Sequence, residues 1–163
     1  MKSFFTAFAL AAALAVSIQT VAAATEKNLT VVELYTSQGC SSCPPADAFL
    51  GELAKRDDLL ALSIHVDYWD YIGWKDRFAS PDNTKRQRAY APKLGMRYVY
   101  TPQMIVQGAN HATGSDRDKI LALIARTQKS KRVAVTINRA EDGVRVTVAG
   151  ADTTEEAAGW LGG

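Results

Sequence analysis

The chain has two cysteines, and they stand three residues apart in Cys40-Ser41-Ser42-Cys43. That spacing lets two sulfurs close a disulfide within one turn of backbone. A β-branched run precedes the pair and a helical apolar pattern follows it. At such a strand-to-helix junction, Cys-x-x-Cys is a redox signal. A sulfur near a helix N-terminus meets unsatisfied N–H groups and the positive end of the dipole, and both favour its thiolate. Cys40 would attack a partner disulfide, and Cys43 would resolve the mixed disulfide. Ser41 and Ser42 carry no charge, so they lower the Cys40 pKa less than a basic residue would. Two other uses stay open. One is a bracing structural disulfide, although so short a loop constrains the unfolded chain little. The other is a metal site using His65 and His111, although zinc needs four ligands and those two lack finger spacing. Two cysteines exclude an all-cysteine zinc site or a four-cysteine iron–sulfur cluster within one chain.

Three further groups could serve that chemistry. Glu33 stands in an otherwise apolar run, and a buried acid there could move a proton for Cys43. Its strand position matters, because resemblance to thioredoxin would put a buried acid six residues before Cys40, where Leu34 stands and not Glu33. Glu33 should therefore face the other side of a sheet unless the strand bulges. Tyr68, Trp69, Tyr71, Trp74 and Phe78 crowd into residues 67–78, with Asp67, Asp70 and Asp76 among them. Tyr68, Trp69 and Trp74 could line a peptide-binding surface beside the disulfide. The alternative is a small core under a long loop, with the acids as loop caps. His65 reads as a packed histidine more than as a catalyst. Lys85, Arg86 and Arg88 read as a solvated helix face.

These residues need elements to position them. Residues 29–35 (LTVVELY) and 59–66 (LLALSIHV) read as strands. A helix is expected from Pro44 or Pro45 to about Arg56, with Phe49, Leu50 and Leu53 as its apolar stripe. Pro44-Pro45 implies that it starts late, leaving the cysteines in a stiffer turn. Ser80-Pro81-Asp82 opens a second helix toward Leu94, which Pro92 should kink or end early. Residues 104–106 form a short strand, with 109–112 as its hairpin partner. Ser115, with Asp118 three residues on, caps a third helix carrying Ile120, Leu121, Leu123 and Ile124. Residues 133–137 and 144–148 form a hairpin around Glu141-Asp142-Gly143.

Composition agrees with one soluble domain: 47% hydrophobic, 22% charged, formal charge +2 from 19 basic and 17 acidic side chains. So balanced a charge offers no strong field for nucleic acid or an anionic membrane. The N-terminus reads as a signal peptide over residues 1–24. Met1-Lys2 is its positive start, residues 4–18 its apolar run, and Ala22-Ala23-Ala24 its cleavage pattern. The apolar run falls short of the roughly 20 residues of a membrane span, so no stable anchor is expected. Cleavage near Ala24 would deliver the chain to the periplasm or beyond, where disulfides persist.

The order β-α-β-α-β-β-α resembles the thioredoxin plan, an α/β domain, here with an appended C-terminal β-hairpin. That plan implies a cis-proline facing the disulfide, and Thr101-Pro102 stands at the matching point. Thr101 would then offer backbone groups to a substrate strand. The runs VVELYTSQGCSSCPPADAFLGELA, ALSIHVDYWDYIGWKDRFASP, RQRAYAPKLG and YTPQMIVQGA resemble the secreted bacterial thioredoxin-like proteins of the domain of unknown function 1223 family. The resemblance supports Cys40, Cys43 and Pro102 as the site, without deciding the reaction. It implies a thioredoxin-like domain over residues 25–130. Residues 131–149 read as the hairpin remnant of a β-rich region, and residues 150–163 as a disordered tail of a truncated chain. The expected function is thiol–disulfide exchange with protein or small-molecule thiols and a redox partner protein, with no dissociable cofactor and no resident metal. A non-enzymatic binding module and a copper or zinc carrier are the alternatives.

Overall fold

The computed structural model describes residues 29–150. The element order is β1 (Thr30–Thr36), α1 (Pro44–Leu53), β2 (Leu59–His65), a 3-10 turn (Asp70–Ile72), α2 (Pro81–Lys93), β3 (Gln103–Val106), β4 (Asn110–Thr113), α3 (Arg117–Gln128), β5 (Val135–Ala140) and β6 (Gly143–Val148). The first four strands form one sheet in the order β2-β1-β3-β4. β1 runs parallel to β2, while β3 is antiparallel to β1 and to β4. This is a thioredoxin-like α/β arrangement with a separate C-terminal hairpin.

Strand alternation sorts β1 between two layers. Val32 and Leu34 point to one face, against Ala46, Phe49, Leu50 and Leu53 of α1 and Ile120, Leu123 and Ile124 of α3. Tyr35 points to the other, with Ile105, Val66 and the partly buried Tyr68, Trp69, Tyr90 and Leu94. α2 therefore covers the face opposite α1 and α3. β1 keeps an unbroken register with both neighbours, so no bulge re-aims its side chains.

Local chemistry moved some boundaries. Ser115 does not cap α3. Asp116 does, its side chain accepting from Lys119 N–H at 3.2 Å. Aspartate is as good a cap as serine, and Asp116 lies one residue nearer the apolar stripe. Helix α1 stops at Leu53, short of Arg56. Ser80 caps α2 as expected, and Pro81 occupies its first turn. Pro92 does not end α2 early: the helix runs one residue past it, to Lys93. So near the C-terminus, the missing proline N–H removes one bond from a turn that is ending anyway.

β5 and β6 pair only with each other. The register sets Val135, Ile137, Val144, Val146 and Val148 on one face, and their exposures run from 48% to 69%. Arg132 fastens the approach to this hairpin, donating to Leu29 O at 2.7 Å and Thr30 Oγ1 at 2.6 Å. The expected signal peptide lies outside the described residues, and so does the expected disordered tail beyond Gly150.

Candidate redox site

Cys40 and Cys43 form a disulfide with Cα atoms 5.4 Å apart. Two successive turns build it. Cys40 N–H donates to Ser37 O at 3.1 Å, and Cys43 N–H donates to Cys40 O at 3.2 Å. Cys43 is the N-cap of α1, and Pro44 and Pro45 fill its first two positions. The prolines place the pair in the turn before the helix, as their missing N–H groups require. Cys40 is 3% exposed and Cys43 fully buried. The Ser42 hydroxyl lies 3.5 Å from Cys40 Sγ and is the donor, since a disulfide sulfur has no hydrogen.

The Thr101–Pro102 peptide bond is cis. Pro102 is buried, and Gly114 N–H donates to its carbonyl at 2.9 Å. Gly114 shows how close these parts stand. A Cβ built on it would lie 2.8 Å from Ala46 Cβ, 3.0 Å from Pro102 Cβ and 3.1 Å from Leu34 Cδ1. The proline loop, the first turn of α1 and β1 thus meet over a residue with no side chain.

The aromatic segment divides between the two uses the sequence left open. Tyr68 and Trp69 pack on the Tyr35 cluster. Tyr68 donates to Gln87 Oε1 at 3.2 Å, while Gln87 Nε2 donates to Tyr100 O and Gln103 Oε1, each at 2.8 Å. Trp69 also lies against Gly39, beside Cys40. Tyr71 (80% exposed), Trp74 (62%) and Phe78 are solvent-facing. Trp74 Nε1–H donates to Gln38 Oε1 at 3.2 Å, which brings its ring to the cysteine loop.

Glu33 is placed elsewhere. It is buried on the α2 face, where Arg86 donates through Nε at 3.0 Å and through a second, shorter bond. The structure does not bring it to the disulfide. Arg86 is accordingly committed to this ion pair rather than to a solvated face.

Sequence reasoning underrated Asp76. It is fully buried, and His65 Nδ1 donates to its Oδ2 at 2.6 Å. The same oxygen accepts Gln38 N–H at 2.8 Å, and Oδ1 accepts Phe78 N–H at 2.9 Å. Burial pushes the Asp76 carboxyl up, but the hydrogen bonds from His65, Gln38 and Phe78 outweigh it and hold it below its ordinary value. Asp76 thus anchors the loop two residues before Cys40. The signal was present: Asp76 and His65 are polar residues flanking one aromatic segment, but only the fold joins them. Among the described residues, no group of three or more His, Cys, Asp or Glu is placed to hold a metal ion. No helix among them is long and apolar enough to cross a membrane.

The chain is similar to the crystal structure of protein AGR_C_4864 from Agrobacterium tumefaciens, a structural genomics target, at 45% identity and a TM-score of 0.65. The likeness covers 77% of this chain and 58% of that one, so the chain spans less than two thirds of its neighbour's length. No curated protein is significantly similar. A sequence model for a family of proteins of unknown function matches residues 31–161, past the hairpin and beyond the motifs that first suggested the resemblance. With the disulfide, the proline loop and the sheet order all inside that span, the chain belongs to the family DUF1223.

Proposed function

We propose that the protein is a thiol–disulfide oxidoreductase working through Cys40 and Cys43. The observation that carries this is the disulfide at the N-cap of α1, whose first turn meets the loop of the buried cis-proline Pro102 across Gly114. The electrons reside in the sulfur pair, so the reaction needs no dissociable cofactor. In the reducing direction, Cys40 thiolate attacks a substrate disulfide and releases one substrate thiolate. Cys43 then displaces the second substrate thiolate and closes the Cys40–Cys43 bond. Two electrons pass to the substrate, and the reverse sequence oxidises it. Direction follows the partner's potential. Protein or small-molecule thiols are the substrates, a redox partner protein resets the pair, and Thr101 offers backbone groups to an extended substrate. The leader-like residues 1–24 support a periplasmic or secreted location.

The exposed Tyr71, Trp74 and Phe78 favour a second reading, a binding module braced by the disulfide. Measuring the Cys40–Cys43 reduction potential together with disulfide reduction by wild type and Cys40→Ser decides between them. Wild-type turnover abolished in Cys40→Ser supports the oxidoreductase. Equal rates in the two proteins replace it with the binding module, and stoichiometric copper or zinc on the reduced protein replaces it with a metal carrier.

A further inference from the structure

β2 is an outer strand of the four-stranded sheet, and among the described residues no strand pairs with its free edge. The bonds at its two ends fix which groups lie there. Thr30 N–H donates to Asp58 O at 2.9 Å, and Val66 N–H donates to Thr36 O at 3.0 Å. Leu60, Leu62 and Ile64 therefore turn their N–H and C=O groups to β1, while Leu59, Ala61, Ser63 and His65 turn theirs outward. At His65 the edge is closed, because its carbonyl accepts Ser80 N–H at 3.3 Å and Asn83 Nδ2 at 2.9 Å. Leu59, Ala61 and Ser63 remain open.

A free sheet edge is usually protected by charge, proline, a bulge or short length. β2 has none of these. Its seven residues, LLALSIH, include no acid, lysine, arginine or proline, and its register with β1 is unbroken. On the α2 face of the strand, Leu60 and Leu62 are 43% and 36% exposed. On the other face, a groove of about 310 Å³ runs between α1 and β2, with Asp47, Gly51, Ala54, Ala61 and Ser63 in its lining. A Cβ on Gly51 would meet nothing within 4 Å.

We propose that this edge is the seam of a homodimer, in which β2 pairs antiparallel with β2 of a second copy about a twofold axis at Ala61. The edge is complementary to itself in hydrogen bonds, side chains and charge. An axis at Ala61 sets that residue opposite its own copy and Leu59 opposite Ser63, each pair exchanging two N–H···O bonds. Every open backbone group gains a partner, and the ladder stops where Ser80 and Asn83 close the edge. The same axis sets Leu60 opposite Leu62 at closely spaced positions without hydrogen bonds, so each exposed leucine covers the other. On the groove face, Asp47, Gly51 and Lys55 recur every four residues along α1 and the turn that ends it. Such residues share one side of a helix. Antiparallel α1 helices that meet at Gly51 put Asp47 of each copy opposite Lys55 of the other. The two cysteine pairs, at opposite ends of the joined sheet, both stay open, and the association needs neither of them.

Sedimentation velocity should show a dimer forming as concentration rises through the micromolar range. Hydrogen exchange locates the seam. The Leu59, Ala61 and Ser63 amides should gain protection with concentration, while those of Leu60 and Leu62, already bonded to β1, should not change. Leu60→Lys, at an exposed position, should leave a folded monomer, because a lysine on an edge strand opposes pairing. Asp47→Lys and Lys55→Asp should each weaken association by about fivefold, and the double variant should regain it. A protein that stays monomeric overturns the proposal. A dimer that persists in Leu60→Lys and leaves the Ala61 and Ser63 amides unprotected overturns it too, by placing the seam elsewhere. Protection of those amides that ignores concentration also overturns it, by showing that the chain's own residues outside 29–150 cover the edge.

Discussion

Trp69 Nε1–H donates to Thr101 Oγ1 at 2.7 Å, tying the aromatic segment after β2 to the residue that precedes the cis-proline. Trp69 also stacks on Tyr71 and lies against Gly39 beside Cys40. One indole thus spans both halves of the candidate site. Trp69→Phe keeps most of the packing and removes the bond. Stability should fall by about 1 kcal/mol, read from the urea midpoint at constant slope. An unchanged midpoint would show that the bond contributes nothing net.

Gly114→Ala tests the close approach at Pro102. Its Cβ would press on Ala46 Cβ and Pro102 Cβ, neither of which can swing away. Overpacking of this kind costs about 1–3 kcal/mol. We expect that loss in denaturant unfolding, with slower glutathione exchange in the protein that remains folded. A variant as stable and fast as wild type would mean that the corner opens without penalty.

Asp76 gives a pH signature. Its folded carboxyl lies below its ordinary value, so its stabilisation is complete above about pH 4 and is lost as pH falls through the folded value. Asp76→Asn should be less stable near neutral pH by about 2 kcal/mol. The gap from wild type should narrow on acidification below pH 4. Parallel stability curves from pH 7 to pH 2 would remove Asp76 from the acid transition.

The two cysteines should differ in reactivity. Cys40 retains slight exposure and stands before the helix, while Cys43 is fully buried at its cap. Iodoacetamide should label Cys40 first in the reduced protein, and Cys43→Ser should accumulate mixed disulfides at Cys40. Faster labelling of Cys43, mapped by mass spectrometry, would exchange the two roles.

The hairpin should be the least protected part of residues 29–150 in hydrogen exchange. A two-stranded sheet with its apolar face open is marginal in water, and Val135, Ile137, Val144, Val146 and Val148 are all exposed. Because Arg132 is bonded to Leu29 and Thr30, the loss of protection should begin after Arg132 rather than at Lys131. A chain ending at Arg132 should keep its Cys40–Cys43 exchange. Protection at β6 equal to that at β1 would join the hairpin to the main core.

The element order was legible in the sequence because each strand or helix carries its own period and punctuation. LTVVELY reads as a buried strand, and Ser80-Pro81-Asp82 as a helix start. The cysteine pair was legible for the same reason, since its three-residue spacing is local. Contacts made across the fold were not. Nothing in the spacing of His65 and Asp76 says that they bond, and Gly114 looks like an ordinary turn glycine until Ala46 and Pro102 close over it. Glu33 was visible as an acid in an apolar strand and its face was readable from alternation, but its partner Arg86 looked like surface charge.

The proline pair that opens α1 has a consequence for how the driving force of the couple is set. A helix usually presents its first free N–H groups to whatever anion sits before it. Here positions one and two have none, and the next two, Ala46 and Asp47, are spent on Cys43 O. The donor placed at Cys40 Sγ is instead the Ser42 hydroxyl. A reduced Cys40 in this turn would draw its hydrogen bond from a side chain that a single codon can replace, rather than from the helix N–H groups. On the proposed redox reading, the pair's tendency to give or take electrons would then be tunable at residue 42 within one unchanged scaffold.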